Sequence, residues 1–262
     1  MSSDHSLSTT LEVSGLRKQF KRGDDQLTVF DDLHLSVSTG EFVSIIGPSG
    51  CGKSTLLRVV GGLLDADAGR IVVNDETPSE ARERKHFGFV PQTPALLPWK
   101  TVRQNVALLQ SLHTKSDTNN DAVTRIIDDV GLSAVADSLP AELSGGMQQR
   151  VSLARAFALR PPILLMDEPF SALDEITRSE MRYLLLNLWR DTSATVLFVT
   201  HNIDEAIVLS DRVLVMAGHP ASIVADVRID LERPRSAGIE DATDFHKLAA
   251  ELRAALFGQV NQ

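Results

Sequence analysis

Short apolar runs separated by polar turns alternate along the chain with longer segments in which apolar residues recur at helical spacing. Three of these runs are nearly continuous, which is typical of strands buried on both faces of a parallel sheet: 41–46, 163–166 and 194–200. Amphipathic helices are predicted after the first two runs. This alternation predicts an α/β fold with buried parallel strands.

The first part of the chain has a different pattern. From Leu11 to Val37 short alternating runs are split by polar turns, one of them at 23–25, and Leu33, Leu35 and Val37 share one face. We predict an antiparallel sheet beside the first buried strand. Further strands are predicted at 69–74 and at 86–92, the second of which runs into a loop.

Helical spacing dominates from about residue 95 to 158, which indicates a helical insertion in the sheet domain. Helices are predicted over 101–110 and 123–130, separated by a polar loop at 114–120, and a third helix follows Ser144. We assign 11–230 to one domain and predict that 1–10 is disordered. A Pro-containing linker and one amphipathic helix are predicted for 231–262, with Phe245, Leu248, Leu252 and Leu256 in register.

Composition and charge narrow the class of protein. With 262 residues, of which 43% are hydrophobic, the chain can bury a sizeable core. Its net charge of −9 and the absence of a long Lys/Arg run argue against a nucleic-acid partner. Residues 1–10 do not resemble a signal peptide, and no apolar run approaches the length of a membrane span. We expect a cytoplasmic chain, unless a partner holds it at a membrane.

The segment Gly-Pro-Ser-Gly-Cys-Gly-Lys-Ser at 47–54 matches G-x-x-x-x-G-K-[ST] between a predicted strand and a predicted helix. Successive backbone N–H groups of such a loop, together with the helix N-terminus, can bind one anion. Lys53 supplies a cation for the β- and γ-phosphates, and Ser54 supplies a hydroxyl ligand for Mg²⁺. The predicted triphosphate site comprises Gly47, Pro48, Ser49, Gly50, Cys51, Gly52, Lys53, Ser54 and Thr55. Cys51, the single cysteine, is interpreted as a small filler rather than as a reactive thiol.

Polar side chains stand where three predicted strands end, which is where open α/β sheets position ligand-contacting groups. Asp167 and Glu168 follow 163–166, and we predict that Asp167 holds Mg²⁺ while Glu168 orients or deprotonates the attacking water. Gln92 can hold a metal-bound or attacking water. His201 follows the third run and can hydrogen-bond a γ-phosphate and the carboxylate of the base.

Two helix starts and one aromatic residue leave alternatives open. Ser144 is a good N-cap, and Gly145 and Gly146 expose the next N–H groups, so this start is either a second anion site or an ordinary cap. Asp174 begins another helix and could act only on the helix dipole. Phe20 ends a strand near a basic turn; its position alone favours core packing over stacking on a base.

Taken in chain order, these motifs resemble the nucleotide-binding subunit of an ABC transporter. The resemblance covers about 11–230 and rests on the phosphate loop, Gln92, the Leu-Ser-Gly-Gly-Met-Gln-Gln-Arg segment, Asp167 with Glu168, the Ser-Ala-Leu-Asp segment and His201. It implies a P-loop NTPase core with an antiparallel β subdomain and a helical insertion. It also implies ATP as the cofactor, and Mg²⁺ held by Ser54, Gln92 and Asp167.

The same resemblance implies specific roles and partners. Phe20 stacks on adenine, and Gln92 senses the nucleotide and signals to the membrane subunit. The segment 144–146 binds ATP held by a second copy in a head-to-tail dimer, with Asp174 across that interface, and His201 completes the hydrolytic site. Integral membrane permease subunits are implied as partners, with an extracytoplasmic solute-binding protein as an indirect one. The chain is then peripheral, on the cytoplasmic face of the membrane.

Some positions depart from the family's pattern, and one stretch narrows the subfamily. Asn202 and Pro91 stand where aspartate and an aromatic residue, respectively, are more usual. These differences affect only the fine tuning of the rate of hydrolysis or of the affinity. The stretch Leu-Leu-Pro-Trp with Thr-Val-Arg-Gln-Asn-Val is similar to importers of nitrate, sulfonates and taurine. Trp99 is placed either at the docking site of the permease or in the core.

Two other classes of protein remain as alternatives. One is a soluble ABC ATPase that has no permease, although members that work on ribosomes or DNA usually have two cassettes or a long coiled coil. The other is a P-loop kinase or small GTPase, although neither needs the Ser-Gly-Gly segment at 144–146.

Overall fold

The computed structural model describes residues 9–23, 25–111 and 120–258, which form two compact units. One unit contains the described residues up to 87 and from 195 onward, and the other contains 88–194. The strands are β1 (Thr9–Arg22), β2 (Asp25–Ser38), β3 (Phe42–Ile46), β4 (Ala68–Val73), β5 (Phe87–Val90), β6 (Ile163–Asp167), β7 (Thr195–Val199), β8 (Arg212–Ala217) and β9 (Ser222–Arg228). The α-helices are α1 (Lys53–Val60), α2 (Pro78–Glu83), α3 (Val102–Val106), α4 (Leu108–Ser111), α5 (Asn120–Asp129), α6 (Gly145–Phe157), α7 (Glu175–Arg190), α8 (Ile203–Leu209) and α9 (Thr243–Phe257).

The first unit contains the predicted antiparallel sheet, with strand order β2-β1-β4. Leu33, Leu35 and Val37 are buried on one face of β2, as their alternation predicts. Thr9 and Thr10 belong to β1, whereas 1–8, the rest of the segment predicted as disordered, lie outside the described residues. The antiparallel prediction is therefore confirmed for this part of the chain.

A second group of strands in the same unit has the order β7-β3-β8-β9. β3 runs parallel to both β7 and β8, and all five of its residues are buried, which explains why Ser44 is its single polar residue. Ile45 pairs with Val199, so β3 and β7 end at the same edge of the sheet. The segments that follow these two strands therefore start side by side.

The second unit combines β5 and its neighbour β6 with helices α3 to α7. The predicted helix at 101–110 is wrong as a single element, because α3 ends at Val106 and α4 begins at Leu108. The buried Asn105 attaches the start of α3 to the preceding segment by donating to the carbonyls of Leu97, Lys100 and Thr101. The predicted polar loop at 114–120 falls outside the described residues except for Asn120.

The C-terminal part of the first unit contains the predicted helix, α9, which packs against α8 and β8. Phe245 and Leu252 are buried, whereas Leu248 and Leu256 are half-buried. Before α9, the buried guanidinium of Arg235 donates to five backbone carbonyls at the ends of α8 and β9: Ile207, Val208, Ser210, Ile229 and Leu231. Burial lowers the pKa of Arg235 to about 10. The segment predicted as a linker is thus anchored to the body of its unit.

None of the helices in the described ranges has the length and apolar character needed to cross a bilayer.

Candidate functional site

The phosphate-loop motif connects β3 to α1, as predicted. The ammonium group of Lys53 is almost fully buried and donates to the carbonyl oxygens of Gly47 (2.8 Å) and Pro48 (2.9 Å). Gly52 is the N-cap of α1 and has φ of 109°, and no side chain caps this helix start. A loop wrapped around a lysine in front of an uncapped helix N-terminus has the local geometry of a phosphate site.

Two glycines of this loop cannot be replaced without a clash. A Cβ at Gly47 would lie 2.2 Å from the carbonyl oxygen of Met216, and one at Gly52 would lie 2.6 Å from Cγ1 of Val29. The single cysteine, Cys51, is buried beside them, and burial raises the pKa of its thiol. These surroundings favour the filler interpretation over a reactive thiol.

Phe20 is 38% exposed, so the expectation that it packs in the core is wrong. It lies near the end of the β1–β2 hairpin, opposite Leu27, which is also exposed. Nζ of Lys18 lies 5.4 Å from the centroid of the Phe20 ring. An exposed ring of this kind is able to stack on a base.

His201 follows β7 at the sheet edge that the phosphate loop also leaves, since Ile45 and Val199 are partners and Thr200 N donates to Ile45 O (3.2 Å). The imidazole is exposed. On its C-terminal side, Asn202 caps α8 by accepting a hydrogen bond from the N–H of Glu205 (3.0 Å). The amide oxygen of Asn202 thus provides the cap that an aspartate would also provide.

In the second unit, Asp167 and Glu168 stand at the end of β6, as predicted. Asp167 is buried, whereas Glu168 is half-buried and has a left-handed backbone with φ of 44°. Gln92 follows β5 and donates to the hydroxyl of Ser171 (3.2 Å), which in turn donates to the carbonyl oxygen of Glu168 (3.0 Å). The structure therefore connects Gln92 with the backbone of Glu168 through Ser171.

The two helix starts predicted in this unit are both N-capped. Ser144 accepts a hydrogen bond from Met147 N (3.3 Å) at the start of α6, and a Cβ added at Gly145 would meet open space. Asp174 accepts from both the backbone N–H and the hydroxyl of Thr177 at the start of α7. The backbone bond is the main reason that the pKa of Asp174 is lowered. The caps are confirmed, whereas anion binding at Ser144 and an interface role for Asp174 stay predictions.

Trp99 is 71% exposed, which contradicts a place in the core. Two buried side chains that the sequence reasoning missed hold the segment around it. Asn105 bonds both the N–H and the carbonyl of Leu97, and Arg155 of α6 donates to the carbonyls of Pro94 and Ala95. Burial lowers the pKa of Arg155. Only the polarity of these residues within helical apolar patterns could have drawn attention to them.

The donor set proposed for Mg²⁺ consists of oxygens, namely the hydroxyl of Ser54, the carboxylate of Asp167 and the amide oxygen of Gln92. Oxygen donors suit Mg²⁺, which is commonly bound through one or two side chains together with phosphate oxygens. In the part of the chain that the structure describes, no group of three or more His, Cys, Asp or Glu side chains could hold a metal ion. A site shared with phosphate oxygens needs no such group.

Comparison with known proteins identifies the family. A sequence profile described as ABC transporter matches residues 30–171, more than half of the chain. The chain is 40% identical over 238 residues to the aliphatic sulfonates import ATP-binding protein SsuB of Bacillus cereus, covering 91% of this chain and 93% of that protein. It is 44% identical over 237 residues to the aliphatic sulfonates import ATP-binding protein SsuB 2 of Pseudomonas syringae pv. tomato, covering 90% and 93%.

Solved structures show the same fold. The ATP-binding cassette MJ0796, in a dimeric post-hydrolysis state bound to ADP and Pi, matches with a TM-score of 0.74 and 30% identity, covering 85% of this chain and 100% of that one. CbiO1 of Clostridium perfringens, part of the transporter complex cbiONQ, matches with a TM-score of 0.74 and 26% identity, covering 85% and 89%. The chain therefore belongs to the ABC transporter family and is one of its ATP-binding, ATP-hydrolysing cassettes.

Proposed function

We propose that this chain hydrolyses ATP to drive an importer of aliphatic sulfonates or closely related small organic anions. The observation that carries the ATPase part is the loop around Lys53, which combines a buried ammonium group, two glycines that exclude side chains and an uncapped helix start. The substrate class rests on the relatives, which are named aliphatic sulfonates import ATP-binding proteins and match over about nine tenths of the chain.

In this proposal one group of residues binds ATP and a second group takes part in its hydrolysis. The loop Gly47–Thr55 binds the phosphates, with Lys53 on the β- and γ-phosphates, and the exposed ring of Phe20 stacks on adenine. Glu168 accepts a proton from the attacking water or orients it, because its carboxylate follows the end of β6. His201 donates a hydrogen bond toward the γ-phosphate and Gln92 holds the water.

Mg²⁺ is assigned to the hydroxyl of Ser54, the carboxylate of Asp167 and the amide of Gln92. When bound there, the cation supplies charge neutralisation for the phosphate oxygens. The contribution of the protein is to hold the buried carboxylate of Asp167 at the end of β6 and the hydroxyl of Ser54 in the first turn of α1.

We further propose that two copies pair head to tail. The N–H groups of Gly145 and Gly146 and the hydroxyl of Ser144 then cap the γ-phosphate of ATP held by the other copy, and Asp174 lies across the interface. The open space at Gly145 and the exposure of Ser144 support this arrangement, because a phosphate group has room to approach the start of α6. The dimeric state of the related cassette MJ0796 supports it as well.

The cassette is assigned to 11–230, with a helical subdomain at about 95–158 and a C-terminal segment at 231–262. We place it on the cytoplasmic face of the membrane as a peripheral subunit bound to permease subunits, which receive their solute from an extracytoplasmic binding protein. The exposed Trp99, held on a segment braced by Asn105 and Arg155, supplies an apolar contact for the permease.

Uptake by intact cells tests this function. Cells lacking the gene should fail to take up radiolabelled ethanesulfonate, and the wild-type gene should restore uptake whereas Lys53→Ala should not. Labelled taurine and nitrate assayed in parallel separate the neighbouring substrate classes. Normal ethanesulfonate uptake in the deleted strain would contradict the substrate class, and full rescue by Lys53→Ala would contradict ATP-driven import.

A further inference from the structure

Ser171 connects two residues that the proposed function places in hydrolysis. Its hydroxyl donates to the carbonyl oxygen of Glu168 (3.0 Å) and accepts a hydrogen bond from Nε2 of Gln92 (3.2 Å). Its backbone N–H donates to the same Glu168 carbonyl (3.2 Å). One small side chain therefore joins the backbone of Glu168 to the amide of a residue 79 positions away from Ser171 in sequence.

The backbone of Glu168 requires this kind of support. Its φ of 44° lies in the left-handed region, which a residue with a Cβ occupies only when its surroundings hold it there. The direction of the glutamate side chain depends on this backbone conformation, because the position of Cβ follows from the orientation of the two adjoining peptide groups. The two hydrogen bonds from Ser171 fix the peptide group on the C-terminal side.

The hydroxyl of Ser171 has a single proton, so its direction depends on the group that donates to it. When the Gln92 amide donates to this oxygen, the hydroxyl proton remains directed at the Glu168 carbonyl. Loss of the Gln92 amide frees the hydroxyl to rotate away from the Glu168 carbonyl, whereas the bond from the Ser171 N–H to that carbonyl remains.

We infer that Ser171 is a positioning residue for the base Glu168, and that Gln92 acts on the base through the Ser171 hydroxyl. This inference rests on the proposed ATPase function. It adds a route, within one chain, from the glutamine that follows β5 to the carboxylate that follows β6. Ser171 contacts neither ATP nor the attacking water in this scheme.

Steady-state ATP hydrolysis by Ser171→Ala, in the chain assembled with its permease, tests this role. The alanine variant keeps the N–H bond to Glu168, so the turn should persist and the unfolding midpoint should not change. We expect kcat to fall about 3- to 30-fold, as for a small misplacement of a catalytic group, with KM for ATP within about twofold of the wild-type value. Ser171→Thr, which keeps the hydroxyl, should restore kcat. Ser133→Ala is the matched control, because its hydroxyl donates to the exposed carboxylate of Asp128.

A double-mutant cycle separates positioning from other roles. Because Ser171 acts through the Glu168 carboxylate, Ser171→Ala should have no further effect on kcat in a Glu168→Gln background. An unchanged kcat in Ser171→Ala, a change in KM alone, failure of Ser171→Thr to rescue, or multiplication of the two effects would each overturn the inference. If Ser171→Ala lowers the unfolding midpoint, kcat is compared between Ser171→Thr and Gln92→Ala under conditions where both are equally stable. A wild-type kcat in Ser171→Thr with a reduced kcat in Gln92→Ala supports the inference, and any other pair of results overturns it.

The same assays keep the inference and the proposed function apart. If the wild-type complex does not hydrolyse ATP, or Glu168→Gln remains fully active, the proposed function fails first. If both behave as proposed and Ser171→Ala matches the wild type, only the inference fails.

Discussion

The guanidinium of Arg155 donates to the carbonyl oxygen of Pro94 over 2.7 Å, which joins the helix that begins after Ser144 to the segment that follows Gln92. A second hydrogen bond, to Ala95 O at 2.9 Å, means that the guanidinium binds two consecutive carbonyl oxygens. A planar guanidinium suits such a pair of acceptors, whereas the ammonium of a lysine is a point charge. The segment that carries the exposed Trp99 is thereby tied to α6.

Replacing Arg155 with methionine should lower the free energy of unfolding by about 1.5–3 kcal/mol, because the carbonyls of the half-buried Pro94 and the exposed Ala95 lose a charged donor. Arg155→Lys should recover only part of this loss. Denaturant unfolding measures the effect, with Arg125→Met as the control, since Arg125 is exposed and donates to the carbonyl of Asp121 on its own helix. Equal midpoints for Arg155→Met and Arg125→Met would show that the attachment does not stabilise the chain.

Arg235 should also stabilise the folded chain, through its contacts in the C-terminal segment. Its guanidinium is buried and bonds five carbonyls, so Arg235→Met should cost about 3–5 kcal/mol of stability. Arg253→Met, at an exposed position of α9, should change stability by less than about 0.5 kcal/mol. Thermal or denaturant unfolding of the two variants side by side is the measurement, and similar midpoints would refute the anchoring role.

The cap formed by Asp174 predicts a dependence of stability on pH. The folded chain holds the pKa of Asp174 below its ordinary value of 3.8, so the folded state binds this proton less readily than the unfolded chain. The stabilising contribution is therefore present above that value and is lost as pH falls through the lower folded pKa. Asp174→Asn keeps a capping oxygen that does not titrate.

Unfolding midpoints of wild type and Asp174→Asn, measured from pH 6 to pH 2, test this cap. The advantage of the aspartate should shrink steadily as the pH falls below its ordinary pKa. A constant difference between the two proteins across the range would show that the charge of Asp174 does not stabilise the start of α7.

Phe20→Ala should weaken binding of ATP by about 5- to 150-fold, since stacking of one base on an aromatic side chain contributes about 1–3 kcal/mol. Because Phe20 is exposed, the free energy of unfolding should remain within about 0.5 kcal/mol of the wild-type value. Phe20→Tyr should retain affinity. Calorimetric titration with ATP and with inorganic triphosphate, which has no base, separates stacking from phosphate binding, and Phe257→Ala is the control for an exposed phenylalanine elsewhere. Equal losses for both ligands would argue against stacking.

The parts of the fold that depend on local pattern could be predicted from the sequence. β3 and β6 are almost entirely apolar runs, and the caps at Ser144 and Asp174 follow from residue type next to a helical pattern. The long-range polar contacts could not be predicted, because Gln92 and Ser171 have no signal that pairs them across the intervening chain. Exposure of Phe20 also escaped prediction, since an apolar residue at a strand end is buried or not according to what covers the hairpin tip.

We propose that ATP bound by the loop around Lys53 is hydrolysed with Glu168 as the base. The decisive measurement is phosphate release from ATP by the chain purified with its permease, compared between wild type and Glu168→Gln together with the ATP affinity of each. We expect a rate about 10² to 10⁴ times lower in Glu168→Gln, or roughly 3 to 5 kcal/mol in barrier, with ATP affinity retained. Phosphate release near the wild-type rate in Glu168→Gln would contradict it.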